Sequence, residues 1–112
     1  MTQDGAAAEE RAAQYLQHQG LRIVDRNWRC RRGEIDLIAR DGVTLVFVEV
    51  RARASRAFGG AAASITAAKR ARIIAAAEQY LLGVRPTPPC RFDAVCIDGN
   101  ELDWLKNCFD AG

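Results

Sequence analysis

Histidine is almost missing from this chain of 112 residues, with His18 the single example. It lies between Gln17 and Gln19 near an expected helix end, which points to an exposed surface position. Mechanisms built on a Cys–His or Ser–His pair therefore start poorly, and no zinc framework is recognisable. The cysteines Cys30, Cys90, Cys96 and Cys108 contain no C-x-x-C pair. They admit three disulfide pairings, but nothing suggests an oxidising compartment, so each reads as a small buried or half-buried apolar residue. No uncharged apolar run approaches the ~18 residues of a membrane span. The segment Met1-Thr2-Gln3-Asp4-Gly5 has neither the basic start nor the apolar block of a secretory signal, so a cytoplasmic location is expected. Charge of one sign is lacking too: 16 basic side chains against 14 acidic ones leave only +2.

What is present is a globular composition, 49% hydrophobic and 27% charged, in a length that suits one domain over residues 1–112. The positive charge is almost all arginine. Arg22, Arg26, Arg29, Arg31 and Arg32 fall close together, whereas Asp98, Glu101, Asp103 and Asp110 make the end of the chain acidic. A neutral total that hides a basic stretch can bind a polyanion locally, although a solvated strand and loop would look the same.

Residues 5–19 read as a helix, capped by Asp4, with Ala12, Tyr15 and Leu16 as an apolar stripe and Gly20 as its stop. Leu21–Val24 and Asn27–Cys30 look extended with polar breaks, and Arg32-Gly33 reads as a tight turn. Glu34–Arg40 and Val43–Arg51 are clear strands, joined by a two-residue turn at Asp41-Gly42. The second of them is apolar on both faces and is expected at the centre of a covered sheet. A loop over 52–63 carries Arg53, Arg56, Phe58, Gly59 and Gly60. A second helix follows from Thr66 to Leu82, with Ile73, Ala76, Ala77, Tyr80 and Leu81 inward. Pro86, Pro88 and Pro89 break the chain, Arg91–Ile97 is a strand, and 102–109 starts as a strand and ends in a helical turn. The order is that of an α/β sandwich.

With Asp41 and Gly42 as the turn, Arg40 faces Val43, Asp36 faces Phe47 and Glu34 faces Glu49. Glu34, Asp36, Glu49 and Arg51 then share one face, with Asp36 and Glu49 as diagonal neighbours about 7–8 Å apart along the backbone. Three carboxylates on a face that also carries Leu45 and Phe47 are unfavourable without compensation, and Arg51 offsets one charge at most. A hard divalent ion, Mg²⁺ or Mn²⁺, held by Asp36, Glu49 and waters would resolve the rest. A solvent-facing charged sheet, with Arg51 in simple salt bridges, is the alternative.

The blocks Gly33-Glu34-Ile35-Asp36-Leu37-Ile38-Ala39, Val46-Phe47-Val48-Glu49-Val50-Arg51 with Arg53, and Arg91-Phe92-Asp93-Ala94-Val95 resemble the YraN family. These are small bacterial proteins regarded as distant relatives of archaeal Holliday-junction resolvases in the PD-(D/E)XK nuclease superfamily. The resemblance runs from the opening helix to Trp104 and Phe109. It implies a restriction-endonuclease-like three-layer sandwich with a central mixed sheet. It also implies that Asp36 is the metal-binding Asp and Glu49 the acid of the E-x-K element. Arg51 stands at the Lys position, Glu9 is similar to the helical Glu that supports the metal, Glu34 has a supporting role, and Lys69 fits the basic position of the second helix.

Arg51 is the departure: arginine keeps its charge but cannot give up its proton near neutral pH. A two-carboxylate metal site can still activate water. The expected function is accordingly a Mg²⁺- or Mn²⁺-dependent endonuclease acting on DNA, including branched or structured DNA. Asp36, Glu49 and Arg51 would be catalytic, Asp36, Glu49 and Glu9 would hold the metal, and Lys69, Arg53 and Arg31 would contact nucleic acid. The alternatives are a nucleic-acid-binding protein with a degenerate site and a protein-interaction module. Expected partners are nucleic acid, DNA above all, and a second copy of the chain in a homodimer, with no membrane. Trp28 and Trp104 read as packing residues, with base stacking by Trp28 as its other reading. Phe58-Gly59-Gly60 would let backbone approach a phosphate or simply connect elements. Arg72, three residues after Lys69, reads as a solvent charge or a phosphate contact.

Overall fold

A computed structural model describes residues 2–53 and 65–110, with the side chains of 2–4 left aside. In chain order the elements are α1 (Thr2–His18), β1 (Arg22–Cys30), β2 (Gly33–Asp41), β3 (Thr44–Arg53), α2 (Ala67–Leu81), β4 (Cys90–Asp98) and β5 (Glu101–Phe109). The five strands form one sheet in the order β1-β2-β3-β4-β5. All neighbours are antiparallel except β3 and β4, which run parallel on either side of the α2 crossover. Parallel neighbours need such a crossover, and α2 supplies it.

Both faces of β3 are covered, as its continuous apolar sequence requires. Val46, Val48 and Val50 pack with Leu37 and Ala39 against Ala12, Ala13 and Leu16 of α1. Leu45 and Phe47 pack with Ile35 and Ile38 against Ile73, Ala76 and Ala77 of α2. The result is three layers, helix on sheet on helix, with β3 in the middle position. Gly20, at φ 98, ends α1 as expected. Thr66 caps α2, its hydroxyl accepting from the backbone N–H of Lys69 at 3.2 Å.

The structure corrects the β2–β3 register. Asp41 pairs with Thr44 and Arg40 with Leu45, so Gly42 and Val43 form the turn, with Gly42 at φ 62. Asp41 stays in the strand because Arg91, fifty residues away, holds its carboxylate at 2.9 Å. Phe47 now pairs with Ile38 rather than Asp36, and the alternation breaks at Asp36, since Ile35 packs on the α2 side with Ile38 while Leu37 and Ala39 pack on the α1 side.

The chain end is also different: β5 continues through Phe109 with no helical turn. Fully buried Asp93 anchors it, accepting from Arg91 Nε at 3.0 Å, Trp104 Nε1 at 2.9 Å and the backbone N–H of Asn107 at 2.9 Å. Trp104 also meets Tyr15 edge to face, which fits its packing role. Two of the four cysteines depart from the expected burial: Cys90 begins β4 just after Pro89 and Cys108 lies on edge strand β5, and both are exposed. Cys96 is buried and Cys30 half-buried. Among the described residues no helix is long and apolar enough to cross a membrane.

Candidate metal and nucleic-acid site

A pocket of about 800 Å³ opens where β1, β2 and β3 run out between the two helices. Asp36 and Glu49 line it from the strands, Glu9 from α1 and Lys69 from α2. The β2–β3 ladder stops at Leu37–Val48, one step before Asp36 and Glu49. There the side chain of Asp36 takes over from the backbone, its Oδ2 accepting from the Val50 N–H at 2.9 Å.

Glu49 is only 3% exposed. Burial, then the charge of Asp36 and a hydrogen bond with it, push its carboxyl up to about 8, against the pull of Lys69 and Arg51. Those two cations reach the same Oε2, Lys69 Nζ at 3.5 Å and Arg51 Nη1 at 3.7 Å. Such contacts are looser than the ~2.7–2.9 Å of a strong charge-assisted hydrogen bond, so burial and the neighbouring carboxylate prevail. Glu9 is raised as well, first by burial and then by Asp36. With its carboxyl pushed up to about 8, Glu49 keeps a proton at neutral pH.

Other expected site residues take different positions. Glu34 is exposed on the pocket wall, 3.5 Å from Arg29, and does not stand opposite Glu49. Arg31 and Arg32 form the exposed β1–β2 turn on the rim, and Arg72 of α2 lies beside them. Gly33 makes that proximity possible, since a Cβ there would sit 2.6 Å from the backbone oxygen of Arg72. Lys69 is directed at Glu49 inside the pocket, whereas Arg53, at the end of β3, lies outside the lining. Trp28 is half-buried and edge-on to Tyr80 at 5.3 Å, a packing arrangement rather than a base platform. The Phe58-Gly59-Gly60 segment and Arg56 lie outside the described residues. Asn27, which carries no sequence motif, is a feature that sequence reasoning missed: its φ of 51 breaks β1 between Arg26 and Trp28.

Residues 8–97 match the model of a family described as uncharacterised protein family UPF0102. The chain belongs to this family, the YraN family. A UPF0102 protein of Dechloromonas aromatica is 60% identical over 110 residues, covering 98% of this chain and 91% of the relative. Another, of Cupriavidus metallidurans, is 57% identical over 112 residues, covering 99% and 84%. A third, of Nitrosomonas europaea, is 57% identical over 109 residues, covering 95% and 92%. UPF0102 membership names no reaction, so the chemistry of the pocket has to supply one.

The donor set suits a hard cation. Among the described residues no three His, Cys, Asp or Glu side chains form a ready ligand set. Mg²⁺, however, commonly binds through one or two carboxylates and keeps its other waters. Asp36 and Glu49 fit that pattern, and Glu9 lines the same pocket from α1.

Proposed function

We propose that this UPF0102 protein is a Mg²⁺- or Mn²⁺-dependent nuclease of the cytoplasm that hydrolyses phosphodiester bonds in DNA, branched or structured DNA included. The observation that carries the reading is the buried Glu49 carboxyl forced against Asp36 in a pocket whose rim is arginine. Perturbed carboxyls in a cleft mark functional sites, and a divalent ion relieves their repulsion. Asp36 and Glu49 would hold the ion, with Glu9 supporting it. When bound, it supplies an activated water and offsets charge at the phosphate.

The remaining work falls to the chain's own side chains. Arg51, fixed in its charge, lies beside Glu49 and neutralises the scissile phosphate without taking a proton. Lys69 keeps Glu49 oriented and adds a second positive charge on the α2 side. Arg31 and Arg72 would grip neighbouring phosphates on the rim, and Arg53 the strand as it leaves. Such contacts set position rather than sequence preference.

Arg51 in the Lys position favours a second reading, a nucleic-acid-binding protein without useful turnover. The test is incubation of the purified protein with branched, single-stranded and duplex DNA in Mg²⁺ or Mn²⁺. The nuclease reading expects cleavage by the wild type, and binding without cleavage by Asp36→Asn and Glu49→Gln. Salt-sensitive binding without wild-type cleavage selects the second reading. No binding to any of the three DNAs contradicts both.

A further inference from the structure

The two walls of the pocket differ in charge. On one side, Arg31 and Arg32 of the β1–β2 turn stand with Arg72 of α2, because Gly33 lets the turn touch the Arg72 backbone. The opposite wall is α1, which covers the other face of the sheet and lines the pocket with Gly5, Ala8 and Glu9. From Gly5 to Glu10 this helix reads Gly-Ala-Ala-Ala-Glu-Glu, with no cation. The bases near it have partners of their own: Arg26 of β1 is matched by Glu10 at 2.6 Å, and Arg11 donates to the Asn100 carbonyl at 2.9 Å. At the same end of the sheet, the β4–β5 turn leads into the exposed acids Glu101 and Asp103.

A duplex carries phosphates along both edges of each groove. Seated with one strand on the arginines, it would turn its second strand toward Glu9 and these acids, and like charges brought together reject a partner. A single strand has phosphates on one side and bases on the other, which matches a pocket that is basic on one wall and small and uncharged at Gly5 and Ala8. Its backbone can also bend inward to Glu49, which is only 3% exposed, whereas a duplex is stiff.

We propose that the pocket takes one unpaired DNA strand, either free or as the single-stranded tail of a branched duplex, with its phosphates along Arg31, Arg32 and Arg72 and its bases toward Gly5 and Ala8. The assignment rests on the nucleic-acid reading above and selects among its substrates.

The test is fluorescence anisotropy in metal-free buffer with a labelled single strand, the same sequence as a blunt duplex, and a duplex bearing that strand as a tail. Cleavage of all three is then mapped in Mn²⁺. The single strand and the tailed duplex should bind more tightly than the blunt duplex by about tenfold or more. Three neutralised phosphates on a single strand should give a salt slope of about −2. Cuts should fall in unpaired DNA. Gly5→Lys places a cation on the α1 wall, where a Cβ meets nothing within 4 Å, and should tighten duplex binding more than single-strand binding. Val43→Lys adds the same charge at the exposed β2–β3 turn, at the far end of the strands, and should leave the ratio unchanged. A blunt duplex bound as tightly as the single strand, or cut within its paired region, would overturn the assignment and leave the nuclease reading standing. A ratio that Gly5→Lys moves no more than Val43→Lys does would overturn the role of the α1 wall. Preference for the single strand without any cleavage would uphold the assignment and overturn the nuclease reading instead. No binding to any of the three would overturn both.

Discussion

Glu49 occupies a position where its charge is unwelcome: nearly all of it is buried, and Asp36 adds a second negative charge. Its carboxyl rises from the ordinary 4.5 to about 8, so the native state keeps a proton that the unfolded chain releases. Stability from this group is therefore complete below about pH 4.5 and is lost as pH climbs through about 8. Each unit of difference is worth ~1.4 kcal/mol, and ~1 kcal/mol moves Tm by about 4–8 °C in a domain of this size. Thermal melts of the metal-free protein should fall by several degrees or more between about pH 5 and pH 8, and Glu49→Gln should flatten that slope. Arg51 belongs to the same scale. Arg51→Lys keeps the positive charge and supplies a smaller ammonium, so DNA cleavage should hold or improve, while Arg51→Ala should reduce it; initial cleavage rates of the three proteins decide this.

At the scale of elements, the β1–β2 turn and α2 are fastened at one point. Adding a Cβ at Gly33 puts it 2.6 Å from the Arg72 backbone oxygen, which belongs to a helix and cannot yield cheaply. Gly33→Ala should destabilise the protein by about 1–3 kcal/mol in urea unfolding and loosen the arginine rim. At the start of the same helix, Thr66→Ala removes the hydroxyl that receives the Lys69 N–H, at a cost of ~1 kcal/mol. Strand and helix identities were legible because β3 is apolar on both faces and α2 carries Ile73, Ala76 and Ala77 at helical spacing. The turn position was not, since Asp41 is drawn into β2 by Arg91, and no local pattern announces a partner fifty residues away. The blocks around Asp36 and Glu49 were readable as a site. The left-handed break at Asn27 was not readable, because a backbone value inside a strand has no local sequence signature.

For the whole molecule, the near-neutral total conceals a separation of charge. Arg29, Arg31, Arg32 and Arg72 surround the pocket, while Glu101, Asp103 and Asp110 lie on or beyond edge strand β5. DNA should approach the arginine side. Arg31→Ala and Arg72→Ala should each weaken binding across sequences and reduce the salt slope by about one, as read from binding isotherms over a salt series. The central claim, that the carboxyls brought together by β2, β3 and α1 are a divalent-cation site, is tested most directly by thermal melts over a Mn²⁺ series. A ligand that binds only the native state raises Tm as its concentration passes Kd. The wild type should rise with Mn²⁺, whereas Asp36→Asn, freed of one charge, should melt higher without metal and respond weakly to it. A wild-type melt unmoved by Mn²⁺ through the millimolar range, with Asp36→Asn behaving identically, would contradict the claim.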